Sequence, residues 1–520
     1  MDREINLDPI RALEKQIQDH ESDPIQLKRA RNSPLNISTH LPPEILGNIF
    51  LLNVIPDGDF SGLIKGSYNF LLVCRRWYEV ALCTPKLWSS WGNTIRDWSQ
   101  RYARCRSAPL DLVLSGYSDH SLDDALHDAL QDRVARDLIR RVHLKGVSTS
   151  TLDSVISSII TEGEETQSNN VESLIIQNSS VLVADLSRFF SRYRLPKLKR
   201  LHLMGCNISS WDLMKTRIAS LTTLSLITSE ILPTPTLSQL LSILSTNPNL
   251  QQLTLSSNSP EPLVDDYVSS SQIQLHHLKK LHMTSVFRYA FGLLDRLELP
   301  DDMDDLKLSL SDCSPSDLLQ TLGPYLRDRI QHRSRDSLGL LAYPGPIPFS
   351  IKVGDVFEGD DMTWVEFFVT VEGATDTFVG EEEAVKLCLD VIAQIPQERI
   401  VDLATTLPIL RSEELCVQMC NLASLHLRKV DLSKRFIEPD IRESHTFEDL
   451  LPRLHSISIN EPYPPLGDWT SLTNFLTRRA AAGKQIALLR VSNYPRRDVI
   501  ERLERVVKVF ESGWCDEYDY

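Results

Sequence analysis

Leucine recurs along most of this chain in a single phase. Short segments read L-x-x-L-x-L and then break into polar residues: "IRRVHLKGV" at 139, "VESLIIQNS" at 171, "LKRLHLMGC" at 198, "LTTLSLITS" at 221, "LQQLTLSSN" at 250, "LKKLHMTSV" at 278 and "MDDLKLSLS" at 303. After a gap the series resumes with "LASLHLRKV" at 422, "LHSISINEP" at 454 and "IALLRVSNY" at 486. Apolar residues alternating at period two predict a strand with one buried face. Ahead of several strands lies a helical pattern closed by proline, as in "LSQLLSILSTNPNLQQLTL" and "FEDLLPRLHSISI". Proline there stops the helix and forces the chain into an extended approach to the strand.

A helix-plus-strand unit repeated along a chain cannot bury its apolar face alone, so successive units stack. The spacing of roughly 23–32 residues is near that of leucine-rich repeats. The predicted fold is α/β: an irregular solenoid over 107–510, with parallel strands on a concave face and helices on the convex one. Residues 311–400 fit least well. "PSDLLQTLGPYLRDRIQH" reads as a helix interrupted at Gly323-Pro324, while "SLGLLAYPGPIPFSIKVG" and "TWVEFFVTVEG" read as strands.

The N-terminal part has another texture. Residues 1–40 form a leader whose Ile10, Leu13 and Ile17 make one amphipathic stripe, followed by a basic linker, "LKRARNSP". From 41 to 106 the pattern is helical and rich in tryptophan. Pro42 and Pro43 open a helix, where missing N–H groups cost nothing, and Glu44 faces the positive end of its dipole. "NFLLVCRRWYEVAL", "TPKLW" and "IRDWSQRYARC" complete a small helical unit, and 511–520 reads as an acidic tail.

Charge and composition narrow the function. A net charge of −15 argues against coating nucleic acid or an anionic membrane. No window approaches the roughly 20 apolar residues of a membrane span, and "MDREINLDPI" lacks a secretory apolar centre. Nine scattered cysteines fit a reducing compartment, so a cytoplasmic or nuclear address is expected. Cys416 and Cys420 lie one helical turn apart without a completing metal set, and "EGDD", "GEEE" and "DGDF" lack calcium-loop spacing. Phosphate-loop, dinucleotide, nucleophile-elbow and zinc-protease signatures are all missing, so neither catalysis nor a cofactor is expected.

One constellation follows from the repeat phase. The residue between the last two leucines of each motif points away from the buried face, onto the exposed strand surface. It is His143, Ile175, His202, Ser225, Thr254, His282, Lys307, His426, Ser458 and Arg490 in turn. Four of the thirteen histidines share this phase. A row of donors in an acidic chain is a candidate ligand face; equally, a half-exposed strand position tolerates any polar residue.

"LPPEILGNIF", "LLVCRRWYEVAL" and "PKLW", in that order and spacing, resemble the F-box. Followed by leucine-rich repeats, the whole is similar to the fungal F-box proteins of that type. The resemblance implies a substrate-recognition adaptor of a Skp–cullin–F-box ubiquitin ligase: the F-box docks the Skp subunit, cullin is reached through it, and the repeats hold a protein target. Carried over by motif, the Skp contacts would be Leu41, Pro42, Ile45, Leu46, Ile49, Phe50, Val73, Cys74, Arg75, Trp77, Leu87 and Trp88. The sequence departs from the family in the long link "LLNVIPDGDFSGLIKGSYN". The alternative is a leucine-rich-repeat scaffold that binds a protein without any ligase.

Overall fold

The computed structural model describes residues 41–54, 68–92, 98–105, 107–115, 132–159, 170–178, 184–208, 211–218, 220–228, 234–257, 272–300, 303, 305–311, 318–331, 338–344, 349–354, 367–372, 390–405, 417–428, 451–460, 469–492 and 495–512. The leader, most of the long link after Phe50, the three acidic loop motifs, and 513–520 lie outside them. The chain forms two compact units, Met1–Arg200 and Leu201–Tyr520.

Among the described residues the first unit opens on helices α1 (Pro43–Val54) and α2 (Arg75–Leu82) and a 3-10 turn, Pro85–Trp88. Strand formation starts directly after Trp88, earlier than the repeat phase predicts. β1 (Ser90–Gly92), β2 (Leu110–Ser115), β3 (Ile139–Lys145) and β4 (Ser173–Gln177) pair in chain order, all parallel. Helix α3 (Thr149–Ile159) links β3 to β4 and buries Leu152, Val155, Ile156 and Ile159 on one stripe. Gly146 adopts φ 62°, a left-handed turn that side chains disfavour, and its N–H donates to the Gln177 carbonyl.

β5 (Arg200–Met204) lies at the boundary between the two units. In the second unit, β6 (Thr223–Thr228), β7 (Gln252–Ser257), β8 (Lys280–Val286) and β9 (Asp305–Ser311) pair in parallel. Helix α4 (Leu237–Ser245) precedes β7 and opens on a capping box formed by Thr236 and Gln239. Helix α5 (Phe287–Leu294) follows β8 and buries Phe287, Ala290, Phe291, Leu293 and Leu294. All ten segments identified from the leucine phase contain strands.

Residues 311–400 depart from an all-parallel ladder. β10 (Leu338–Pro344), β11 (Phe349–Gly354) and β12 (Phe367–Glu372) form a meander in which β11 runs antiparallel to both neighbours. Only residues 345–348 join β10 to β11, too few for the crossover of a dozen or more residues that parallel strands need. β12 pairs with β9, and β10 pairs with β13 (Ile400–Thr405). The ladder therefore reads β9–β12–β11–β10–β13 across this segment. It continues in parallel through β14 (Ser424–Arg428), β15 (Ser456–Asn460), β16 (Leu488–Val491) and β17 (Val509–Ser512). Glu511 and Ser512, expected in the acidic tail, lie in β17, the last strand among the described residues. The helix expected from 315 breaks as the sequence indicated, with a π turn over Leu318–Leu322 leading into an α-helix at Gly323.

A hydrogen-bond signature marks the entry to the strands. The first leucine of the motif closes a turn, its N–H donating to the carbonyl three residues back: Leu198 to Leu195, Leu250 to Asn247, Leu278 to Leu275, Leu422 to Met419 and Leu454 to Leu451. Two successive N–H groups then donate to one carbonyl of the preceding repeat, as Lys279 and Lys280 do to Gln251. The second leucine of the motif starts each buried row. Along β9 the side chains alternate buried and half-buried without a break.

Asparagines add a second tie between repeats, one the leucine phase does not reveal. The Asn178 amide bonds the Val147 N–H and carbonyl, both at 3.1 Å. Asn247 plays the same part in the second unit, accepting from the Leu221 N–H at 3.0 Å.

Candidate functional site

Two kinds of surface carry the residues singled out from sequence: the helical segment of the first unit and the outward strand face, taken in each unit by itself. The first is the helical segment. Within it Phe50 stacks on Phe70, with ring centroids 4.6 Å apart, and meets Trp77 at 5.1 Å. Trp88 donates its indole N–H to the Ala81 carbonyl at 2.8 Å and lies under the Arg104 guanidinium at 4.5 Å. Arg76 donates to the Leu41 carbonyl, tying α2 to the entry of α1. Leu46, Phe50, Leu87 and Trp88 are buried at 1–3% exposure, so they build the unit's interior.

Helix α1 is apolar on more than this buried stripe. Ile45, Ile49 and Leu52, at helical spacing, are 46%, 36% and 76% exposed. Leu72 at 84%, Val73 at 55% and Tyr78 at 43% extend the exposed apolar surface beyond α1. Six of the ten exposed large apolar residues among the described residues fall in this short stretch. Chance scatter over a soluble surface does not concentrate them so. Pro42 and Arg75 are exposed, while Leu41, Cys74 and Trp77 are half-buried. The twelve residues carried over by motif therefore divide into an inner set and an outer set, a division the motif itself does not make.

The second surface is the outward face of the strands. In the first unit the register places Gly92, Val113, His143 and Ile175 in one row. His143 is buried and its Nε2 lies 3.2 Å from the Gln177 amide oxygen. Beside this row Arg141 forms a bidentate pair with Asp111, Nε to Oδ1 at 2.6 Å and Nη2 to Oδ2. Burial pushes the Asp111 carboxyl up, and the guanidinium opposes the rise without reversing it. His202 is half-buried on β5.

In the second unit the register row runs Ser225, Thr254, His282, Lys307 and then Phe368. Past the meander it resumes as Ala404, His426, Ser458, Arg490 and Glu511. Ser225 and Ser458 are buried, whereas Thr254, His282, Lys307, His426 and Arg490 are half-buried. Of these rows the leucine phase had named Ser225, Thr254, His282, Lys307, His426, Ser458 and Arg490, while Phe368, Ala404 and Glu511 enter through strand pairing.

A charge cluster stands at the centre of the first of these stretches. Asp305 Oδ2 lies 2.6 Å from His282 Nε2 and 3.3 Å from Lys307 Nζ. Burial raises the Asp305 carboxyl, but hydrogen bonds and charge from His282, then from Lys307, outweigh it and hold the group below its ordinary value. At the far end, Arg490 Nε pairs with Glu511 Oε2 at 2.8 Å.

Burial pushes the thiols of Cys105 and Cys206 up to about 11 and about 12, where they stay protonated at neutral pH. Among the described residues no group of three His, Cys, Asp or Glu side chains could hold a metal ion. No described helix is long and apolar enough to cross a membrane.

No family model matches the chain, and no curated protein matches it. Among solved structures it is similar to an internalin (inlF) from Listeria monocytogenes, at 13% identity and a TM-score of 0.29, over 79% of this chain and 88% of that one.

Proposed function

We propose that this protein is a repeat-built interaction scaffold that serves as the substrate receptor of a Skp–cullin–F-box ubiquitin ligase. One observation carries the reading. Helix α1 turns Leu46 and Phe50 inward yet leaves Ile45, Ile49 and Leu52 exposed, with Leu72 and Val73 adding to the exposed apolar surface. Exposed apolar area of this kind is stabilised when a partner removes it from water, at about 25 cal/mol per Å². The F-box resemblance names the partner, the Skp adaptor subunit, and cullin follows through it. The strand face of the second unit supplies the other half of an adaptor, a polar surface for a protein target. In this role the chain transfers nothing itself. It raises the effective concentration of a target lysine near the charged conjugating enzyme.

Co-purification tests the reading. The full chain is expected to capture a Skp subunit, and Ile45→Glu with Ile49→Glu is expected to abolish capture without unfolding the helices. A folded wild-type chain that fails to capture Skp overturns the ligase assignment and leaves a scaffold without a ligase.

A further inference from the structure

We infer that the cleft between helix α3 and a short helix, Ser187–Arg192, binds a free α-amino acid with a small aliphatic side chain, its carboxylate held by Arg188 and Arg192 and its ammonium group by Asp153. The site lies wholly in the first unit and is independent of the ligase assignment. Helix α3 sets one wall. Its Leu152, Val155, Ile156 and Ile159 turn inward, which leaves Asp153, Ser154 and Ser157 on the outer side, lining the cleft. The facing wall is the short helix, anchored in the interior by Phe189 and Phe190 at 1–2% exposure. Arg188 and Arg192, four residues apart, therefore project to one side and into the cleft lining. Phe189 and Tyr193 close the floor, their ring centroids 5.6 Å apart.

The charges across this cleft are opposite in sign but not joined. Arg188 and Asp153 both line it, yet neither side chain forms an ion pair or a hydrogen bond among the described residues. The Ser154 hydroxyl forms none either. The Ser157 hydroxyl donates to the Ser154 carbonyl at 3.0 Å and keeps its lone pairs for a donor. Two arginines at this spacing repel each other along a helix, and no Asp or Glu occurs within 186–211 to offset them locally. Asp185, just ahead, is turned to the Ser187 N–H at 2.9 Å. Each class of ligand meets these groups differently. A purely anionic one is repelled by Asp153 and a purely cationic one by two guanidinium groups. An apolar one strips water from all three without replacing its hydrogen bonds. A zwitterion satisfies both walls at once: the guanidinium fork fits a carboxylate, and an ammonium group donates to Asp153 and the serine hydroxyls. Size selects within that class. The cleft encloses about 200 Å³, the share of about seven water molecules. That volume admits an α-amino acid whose short aliphatic side chain lies on Phe189 and Tyr193.

The test is isothermal titration calorimetry of the full chain with L-alanine, L-valine and L-leucine, then with two capped forms of the tightest binder. The N-acetyl form keeps the carboxylate and loses the ammonium charge, and the methyl ester does the reverse. At least one free amino acid is expected to saturate, with each capped form at least about tenfold weaker, because capping leaves one wall unpaired. Arg188→Gln and Asp153→Asn are each expected to weaken binding about tenfold or more. In Asp153→Asn the preference for the free amine over the N-acetyl form is expected to shrink to within about threefold, the mark of a direct contact. Both positions face outward, and circular dichroism and urea midpoints check that the variants fold. Three results each overturn the inference: no saturable binding by any of the free amino acids, equal binding of either capped form by the wild type, or unchanged binding by either folded variant.

Discussion

Asn247 ties one repeat to the preceding one, and its removal should uncouple them. It replaces the leucine or methionine found at the same turn position in Leu195, Leu275, Met419 and Leu451. Its Oδ1 accepts from the Leu221 N–H at 3.0 Å; its Nδ2 donates to the Ile243 carbonyl at 2.9 Å and reaches the Ile218 carbonyl at 3.4 Å. Asn247 and Leu221 are both buried, so water cannot replace these bonds. In Asn247→Ala, leaving the Leu221 N–H unpaired costs about 1–3 kcal/mol, and losing the bond to Ile243 costs about 1 more. The expected destabilisation is about 2–4 kcal/mol, spent locally because each repeat contacts only its neighbours. Asn247→Leu should recover packing but not the orphaned N–H, and should fall between Asn247→Ala and wild type. Urea denaturation followed by circular dichroism measures the loss. Hydrogen exchange read by mass spectrometry should show faster exchange in the peptide containing 218–225 and little change in the helical segment. A loss under about 0.5 kcal/mol, or unchanged exchange around Leu221, would refute the bridging role.

Other outcomes follow from the same packing. Phe50→Ala should destabilise the helical segment by about 3–5 kcal/mol, seen as lost near-ultraviolet dichroism, whereas Ile45→Ala with Ile49→Ala should stay within about 0.5 kcal/mol per site. Asp305 has a depressed carboxyl, so its contribution to stability is present above the unfolded value of about 3.9 and is lost as pH falls through the folded one. Urea midpoints measured from about pH 5 downward should therefore fall less steeply in Asp305→Asn than in wild type. Arg490→Ala breaks a partly exposed pair and should cost no more than about 1 kcal/mol, a difference that shrinks in high salt during thermal melts.

The leucine phase determined most of the strand ladder, because period-two alternation and a buried face are local properties of the chain. It locates ten strands and names Ser225, Thr254, His282 and Lys307, which the register sets in one row. It did not locate β13 or β17, since "IVDLAT" and "VFES" lack the full motif and are strands through pairing with neighbours. Nor did it order the meander, where β12 reaches back to β9 and only the ladder reveals the exchange. Adjacent arginines make the distinction plain: Arg478 is exposed, while Arg479 is buried and donates to the Leu454 carbonyl at 3.0 Å. In the helical segment, composition and spacing fixed an apolar α1 but not its two faces. Which of Ile45, Leu46, Ile49 and Phe50 are covered depends on where Phe70, Trp77 and Trp88 come to rest, a matter of long-range packing. The same holds for charge. Period two already puts Asp305 on the face of Lys307, and only the tertiary structure brought His282 against it, because contacts between strands are set by register and not by residue type.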